Sequence, residues 1–165
     1  MAFMQRKAPL ADARGAYAYA LRLLTMREHS KYELYTKLVR KYEPQISKET
    51  VHRCVKEGVL SETRCLEMLC MHMKNCGYGP KRLKIEMLKR HLKDDLLESL
   101  DEDIDWDEQA FLFLKKRLKV KPQDNKEVQK TLSMLYRRGF SSSSCIYAIR
   151  RFNEWFDEEF SLSNP

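Results

Sequence analysis

A dense group of cationic side chains is the strongest chemical signal in this sequence of 165 residues. Five of the seven residues from 115 to 121 are basic: Lys115, Lys116, Arg117, Lys119 and Lys121. Other basic residues occur before and after this run: Arg82, Lys89, Lys93, Arg137 and Arg138. Such clusters bind phosphate groups or acidic protein surfaces. These residues are therefore the candidate contacts with a partner, and the alternative is a set of solvated helix faces.

Catalytic or metal chemistry has no comparable support. Cys70, His72 and Cys76 are the nearest approach to a metal site, but on a helix Cys70 and His72 point about 200° apart. No glycine-rich phosphate loop occurs, and no Ser/His/Asp or Cys/His arrangement can be placed. We therefore expect no catalytic residue, no metal and no cofactor, and we do not expect an enzyme.

Charge is distributed in blocks along the chain. Residues 1–93 carry 20 basic and 9 acidic side chains, whereas residues 94–108 carry nine acids and no base. Residues 109–156 are again basic, with 11 bases and 3 acids. An acidic segment between basic lobes fits a continuous DNA groove poorly, because it would repel phosphate locally. A partner of mixed charge fits better, although the acidic segment is equally compatible with a solvated helix end and linker.

Composition favours helices and a cytoplasmic location. The sequence has 21 Leu against 6 Val and 5 Ile, with only 5 Gly and 5 Pro, and unbranched side chains lose less rotamer freedom in helices. No apolar run is long enough for a membrane span or a secretory signal. The five cysteines include no Cys-x-x-Cys, which indicates free thiols in a reducing compartment.

Apolar positions recur every 48 to 49 residues. Leu34 and Leu38 correspond to Leu83 and Met87, and the series continues at Leu135. Such a period predicts stacked repeats. Ser30 and Glu33 form a predicted capping box at one helix start. The predicted helices are Ala13–Arg27, Lys31–Lys41, Lys48–Glu57, Glu62–Asn75, Pro80–Leu92, Asp94–Leu100, Asp107–Leu118, Asn125–Arg138 and Ser142–Phe156.

The helix predicted at Pro80–Leu92 carries part of the candidate interface. Helical spacing assigns Ile85 and Leu88, together with Leu83, to a broad apolar arc that we expect to be buried. Arg82 and Lys89 are expected opposite this arc, with Lys93 in line if the helix continues that far.

Several motifs, in order, resemble the RecX family of bacterial regulators of the RecA recombinase. The first block is Tyr19-Ala20-Leu21-Arg22-Leu23-Leu24, Arg27, Ser30, Glu33-Leu34 and Lys37-Leu38. The later blocks are Gly58-Val59-Leu60, Gly77-Tyr78-Gly79-Pro80, Arg82-Leu83, Glu86-Met87, Ile104-Asp105-Trp106 and Arg137-Arg138-Gly139-Phe140-Ser141. The resemblance covers residues 12 to 156. His91-Leu92 departs from it, since the family usually has Gly-Ile there.

The resemblance implies a non-enzymatic modulator that binds RecA and the RecA–DNA filament. Such a protein would most simply inhibit ATP hydrolysis, strand exchange and filament extension in DNA repair and the SOS response, with weak DNA contact possible. The alternative from the basic helices alone is a DNA-binding protein of helix-turn-helix type that acts without RecA.

The expected fold is all-α, an elongated, curved array of three tandem three-helix repeats of helix-turn-helix type, functioning as a monomer. The expected divisions are an N-terminal extension at 1–11, repeats at 12–60, 61–105 and 106–156, and an acidic C-terminal tail at 157–165.

Overall fold

The computed structural model describes residues 9–101 and 104–162. Residues 1–8 of the expected extension, 102–103 of the acidic segment and 163–165 of the expected tail lie outside the described residues, as do the side chains of 98–101 and 161–162. Within the described ranges the helices are α1 Ala13–Met26, α2 Lys31–Leu38, α3 Pro44–Lys56, α4 Glu62–Cys76, α5 Pro80–Lys89, α6 Asp94–Asp101, α7 Trp106–Arg117, α8 Asn125–Arg138 and α9 Ser142–Leu162.

The all-α prediction is confirmed. Apart from one isolated backbone bridge between Leu10 and Tyr42, residues 9–101 and 104–162 contain no extended pairing. None of the helices in these ranges combines the length and apolar character that crossing a membrane requires. The divisions at 12–60, 61–105 and 106–156 stay a prediction.

Four helix ends differ from those predicted by three residues or more. α2 ends at Leu38 rather than Lys41. α3 begins at Pro44 rather than Lys48, because proline in the first turn has a favourable φ and its missing N–H costs no hydrogen bond there. α5 ends at Lys89 rather than Leu92, since His91 takes a left-handed conformation with φ of 53° that a helix cannot continue through. α9 extends to Leu162, past the predicted end at Phe156.

The described chain divides into two compact units, each with its own core. The first comprises the described residues up to Met68 together with Lys89–Leu92, and the second comprises Leu69–Leu88 and the described residues from Lys93 onward. The core of the first unit contains Ala16, Ala20, Leu34, Leu38, Tyr42, Cys54 and Leu60. The core of the second contains Ala110, Phe111, Leu114, Leu135, Phe140, Cys145, Ala148, Ile149 and Phe152.

In the second unit, the turn after α8 is hydrogen-bonded to the turn before α5. The Gly79 N–H donates to the Arg138 carbonyl at 2.9 Å, and the Lys81 N–H donates to the Gly139 carbonyl at 3.1 Å. Gly139 has φ of 92°, and a Cβ there would lie 2.7 Å from the Arg82 nitrogen. We call this contact the turn clasp, since backbone groups hold the end of one helix against the start of another.

The first unit contains a similar contact at repeat-equivalent positions. The Ser30 hydroxyl donates to the Arg90 carbonyl at 2.6 Å, and Ser30 and Arg90 precede Gly79 and Arg138 by 49 and 48 residues. The left-handed His91 takes the place of Gly139, and its ring stacks on Tyr32 with centroids 3.7 Å apart. The helix therefore ends at this point even though His91 stands where the RecX family usually has glycine.

The predicted capping box at Ser30 is confirmed. The Ser30 hydroxyl accepts from the Glu33 N–H, and Glu33 accepts from the Ser30 N–H, both at 3.1 Å. Although burial acts to raise it, the pKa of Glu33 is lowered by hydrogen bonds from Arg27 and Ser30. The charged carboxylate therefore fixes the start of α2 next to Arg90, which lies 3.7 Å away.

The turn clasp predicts unequal effects of two glycine substitutions. Gly58→Ala should cost about 1 kcal/mol of unfolding free energy from its left-handed backbone alone, since no atom of the described residues lies within 4 Å of a Cβ there. Gly139→Ala should cost about 2 to 4 kcal/mol, because its Cβ also collides with the Arg82 backbone. Urea unfolding of both variants measures the difference, and equal losses would show that the clasp tolerates a side chain.

Candidate partner interface

Arg82 and Arg138, far apart in sequence, are brought together at one tyrosine in the second unit. The guanidinium carbon of Arg138 lies 4.9 Å from the Tyr78 ring centroid, and that of Arg82 lies 5.5 Å from it. This arrangement follows from the turn clasp, which places the start of α5 next to the end of α8. Cation–π contacts of this kind are worth about 0.5 to 1 kcal/mol at exposed sites.

Arg138 has a structural role beyond this contact. Its guanidinium donates to the Cys76 carbonyl at 2.8 Å and lies 4.8 Å from the Phe113 ring centroid. The neighbouring Arg137 is exposed and, among the described residues, makes only a local hydrogen bond, from its Nε to the Ser133 carbonyl at 3.3 Å. Of the two, Arg137 is the one more available to a partner.

The cationic run from 115 to 121 does not form one surface. The Lys115 ammonium lies 4.4 Å from the Trp155 ring centroid on α9. Lys116 and Arg117 instead line a cavity that also includes Lys74. Lys119 is exposed beyond the end of α7, and Lys121 donates to both carboxylate oxygens of Asp157 at 2.7 Å.

Some of these cations meet residues of α8 around a second cavity of about 470 Å³. Its charged lining comprises Arg117, Lys121, Glu127, Lys130 and Arg137. The remaining lining is largely apolar, including Leu118, Val120 and Met134. The candidate residues Arg117, Lys121 and Arg137 are therefore neighbours in space, which their positions in the sequence did not show.

The exposed face of α5 differs from the prediction. Leu83 and Met87 are fully buried, but Ile85 is 46% exposed and Leu88 is 68% exposed. Lys81, Arg82, Lys84, Ile85 and Leu88 occupy one continuous arc of about 160° on this helix and all are exposed. We call these five residues the α5 face. The expected burial of Ile85 and Leu88 is wrong, because the buried residues of this helix, Leu83 and Met87, lie on another side of it.

The two remaining candidates, Lys89 and Lys93, are both exposed. Lys89 is the last residue of α5, whereas Lys93 lies beyond it, in the segment before α6. Because α5 ends three residues earlier than predicted, Lys93 is not part of this helix and does not extend the helix side that carries Arg82 and Lys89.

The residues considered for metal binding are separated by burial. Cys70 is buried and Cys76 is exposed, and the Cys76 Sγ lies 3.8 Å from the His72 ring nitrogens. Within the described part of the chain, no three His, Cys, Asp or Glu side chains are grouped to hold a metal ion.

Comparison with known proteins places the chain in a family. A family model described as the first three-helix domain of RecX matches residues 16–54, and one described as its third three-helix domain matches residues 103–149. A regulatory protein RecX from Pseudomonas entomophila (strain L48) is 35% identical over 126 residues, covering 74% of this chain and 81% of its own. The chain belongs to the RecX family.

Other RecX proteins agree in sequence and in fold. A regulatory protein RecX from Vibrio vulnificus (strain CMCP6) is 32% identical and covers 79% of the chain and 88% of its own length. The crystal structure of RecX from Lactobacillus salivarius superposes with a TM-score of 0.73 at 21% identity, over 87% of this chain and 99% of that one. The relatives are named as regulatory proteins, which supports a regulatory role for this chain.

The two adjacent arginines predict a contrast in stability. Arg138→Ala should lower the free energy of unfolding by about 1 to 2 kcal/mol, because it removes the hydrogen bond to the Cys76 carbonyl and the contacts with Tyr78 and Phe113. Arg137→Ala should change it by less than about 0.5 kcal/mol. Chemical denaturation followed by far-UV circular dichroism tests this, and an Arg138→Ala variant as stable as Arg137→Ala would refute the structural role.

Proposed function

We propose that this RecX-family chain binds the RecA recombinase in its filament on DNA and reduces ATP hydrolysis, strand exchange and filament extension. It acts by binding, without catalysing a reaction of its own. Membership of a family whose members are named regulatory proteins supports the regulatory part of the proposal. The RecA part comes from the motif resemblance, and the α5 face supports a protein partner.

The mixture of apolar and cationic groups on the α5 face carries the argument. Leu88 and Ile85 are exposed among Lys81, Arg82 and Lys84 on the same side of the helix. Exposed apolar side chains rimmed by charge are typical of protein–protein interfaces, where the apolar centre is desolvated and the rim stays polar. A phosphate backbone is contacted mainly through cations and hydrogen-bond donors. A DNA partner would therefore make no favourable contact with the exposed Leu88 side chain.

The other exposed cations are further candidate contacts with an anionic partner. Lys116, Arg117, Lys119 and Arg137 are exposed, whereas Arg138 supports the fold and Lys121 is paired with Asp157. Exposed cations speed association with an anionic partner and set its orientation more than they add affinity. Because exposed charges are screened by salt, this part of the binding should weaken as ionic strength rises.

Regulation by this mechanism needs only a difference in affinity. A ligand that binds one state of the filament more tightly shifts the population toward that state by the ratio of the two affinities. A chain that prefers a filament state with slow ATP hydrolysis would therefore inhibit it without touching the nucleotide.

A matched pair of exposed apolar residues tests the proposal. Leu88→Ser removes the centre of the α5 face, and Ile146→Ser on α9 removes a side chain of similar exposure, 64%, outside it. We expect Leu88→Ser to weaken co-sedimentation with RecA filaments on single-stranded DNA about tenfold, as loss of a buried apolar contact would. Ile146→Ser should change it less than twofold, and the inhibition of RecA ATP hydrolysis should follow the same order.

Two results would contradict this account. If the parent protein neither co-sediments with the filament nor slows its ATP hydrolysis, RecA is not the partner. If Leu88→Ser and Ile146→Ser bind equally well, the α5 face is not the contact surface. Urea unfolding serves as a control, since both variants should keep the parent stability within about 0.5 kcal/mol.

A further inference from the structure

We propose that the cavity between the C-terminal part of α4 and one face of α7 binds a nucleoside phosphate. The cavity has a volume of about 460 Å³, within the range of about 300 to 1,000 Å³ that small ligands occupy. Its lining residues are Lys74, Asn75, Cys76, Gly77, Gln109, Leu112, Phe113, Lys116 and Arg117. All of them belong to the second compact unit. We call it the α4–α7 cavity.

One helix face and one turn build the walls. Gln109, Leu112, Phe113, Lys116 and Arg117 follow the spacing of a single face of α7. Opposite this face, α4 ends at Cys76 and the chain turns at Gly77, where a Cβ would lie 2.4 Å from the Phe113 ring. Glycine at this position therefore allows the ring to pack against the backbone and form the wall of the cavity.

The charges of the cavity favour an anion. Lys74, Lys116 and Arg117 line it, and no carboxylate is among its lining residues in the described part of the chain. Helix C-termini carry partial negative charge, but the hydrogen bond from Arg138 occupies the Cys76 carbonyl at the end of α4. Arginine can bind phosphate oxygens through two N–H groups at once, and lysine adds mobile point charges.

The other lining groups suit the nucleoside part of the ligand. Asn75 and Gln109 each offer an amide donor and an amide acceptor, which is the chemistry that recognises the edge of a base. Leu112 and Phe113 provide an apolar wall for a sugar or a base ring. A free nucleotide and a nucleotide within a nucleic-acid strand share this chemistry, so the experiment must separate these two sources.

Cys76 provides a reporter inside the cavity. It is exposed, whereas Cys54, Cys65, Cys70 and Cys145 are buried. Burial also raises the pKa of Cys65 and of Cys145 to about 11, and thiolates rather than thiols react with alkylating reagents. Iodoacetamide should therefore modify Cys76 first, and a ligand in the cavity should slow that reaction.

The experiment uses the full chain alone, without RecA. ATP, inorganic pyrophosphate and a dT12 oligonucleotide are titrated in turn, and the alkylation rate of Cys76 is followed by mass spectrometry beside calorimetric titration. Lys116→Gln removes one cation of the cavity. Lys126→Gln is the matched control, because Lys126 is exposed and lines none of the cavities described above.

We expect ATP to slow Cys76 alkylation at least fivefold at saturation, with the midpoint at the calorimetric dissociation constant. Lys116→Gln should weaken ATP binding about fivefold or more, and Lys126→Gln less than 1.5-fold. Stronger protection by dT12 than by ATP at equal nucleotide concentration would also support the site and identify a strand as the source of the ligand.

Three results would overturn the proposal. One is the absence of saturable protection by either ATP or dT12. Another is protection by pyrophosphate at the same concentration as ATP, which would show that the nucleoside makes no contact. The third is an equal loss of binding in Lys116→Gln and Lys126→Gln, which would indicate diffuse charge attraction. Because RecA is absent from every arm, none of these results bears on the RecA proposal.

Discussion

The backbone contact between the turns at Gly79 and Gly139 is the constraint on which the second unit depends. Its two hydrogen bonds, from Gly79 to Arg138 and from Lys81 to Gly139, leave no room for a Cβ at Gly139. They bring Arg82 and Arg138 to the Tyr78 ring and direct the Arg138 guanidinium to the Cys76 carbonyl. The position of the α5 face and one border of the α4–α7 cavity follow from this contact.

Hydrophobic periodicity predicted the helices well, because burial of one helix side imposes its spacing on the sequence. Leu34, Leu38, Leu83, Met87 and Leu135, five of the positions at which the repeat was recognised, are all fully buried. The expected burial of Ile85 and Leu88 was wrong because the predicted apolar arc was too broad. At 100° per residue these two side chains lie about 100° to 160° away from Leu83 and Met87, so they do not share the buried side of α5. The cations Lys81 and Lys84 beside them were the available signal that this side is open.

The candidate cations were predictable as residues but not as a site. Consecutive residues on a helix point about 100° apart, so Lys115 contacts Trp155 while Lys116 lines the α4–α7 cavity. The side chains that these cations contact lie far from them in the sequence: Asp157 pairs with Lys121, and Phe113 contacts Arg138. These contacts give each cation a different role. Lys74 is the third cation of the cavity. It was not predicted as a candidate, because no other basic residue lies next to it in the sequence.

The proposed partner of this chain is a RecA filament rather than DNA itself. The most direct measurement compares its affinity for RecA filaments on single-stranded DNA with its affinity for the same DNA alone, over a salt series from 50 to 300 mM, about the range in which phosphate contacts lose most of their strength. Filament binding should persist at salt concentrations where bare-DNA binding has been lost, since salt does not screen the apolar contact at the α5 face. If bare DNA is bound as tightly as the filament, with the same salt dependence, DNA itself rather than RecA is the partner.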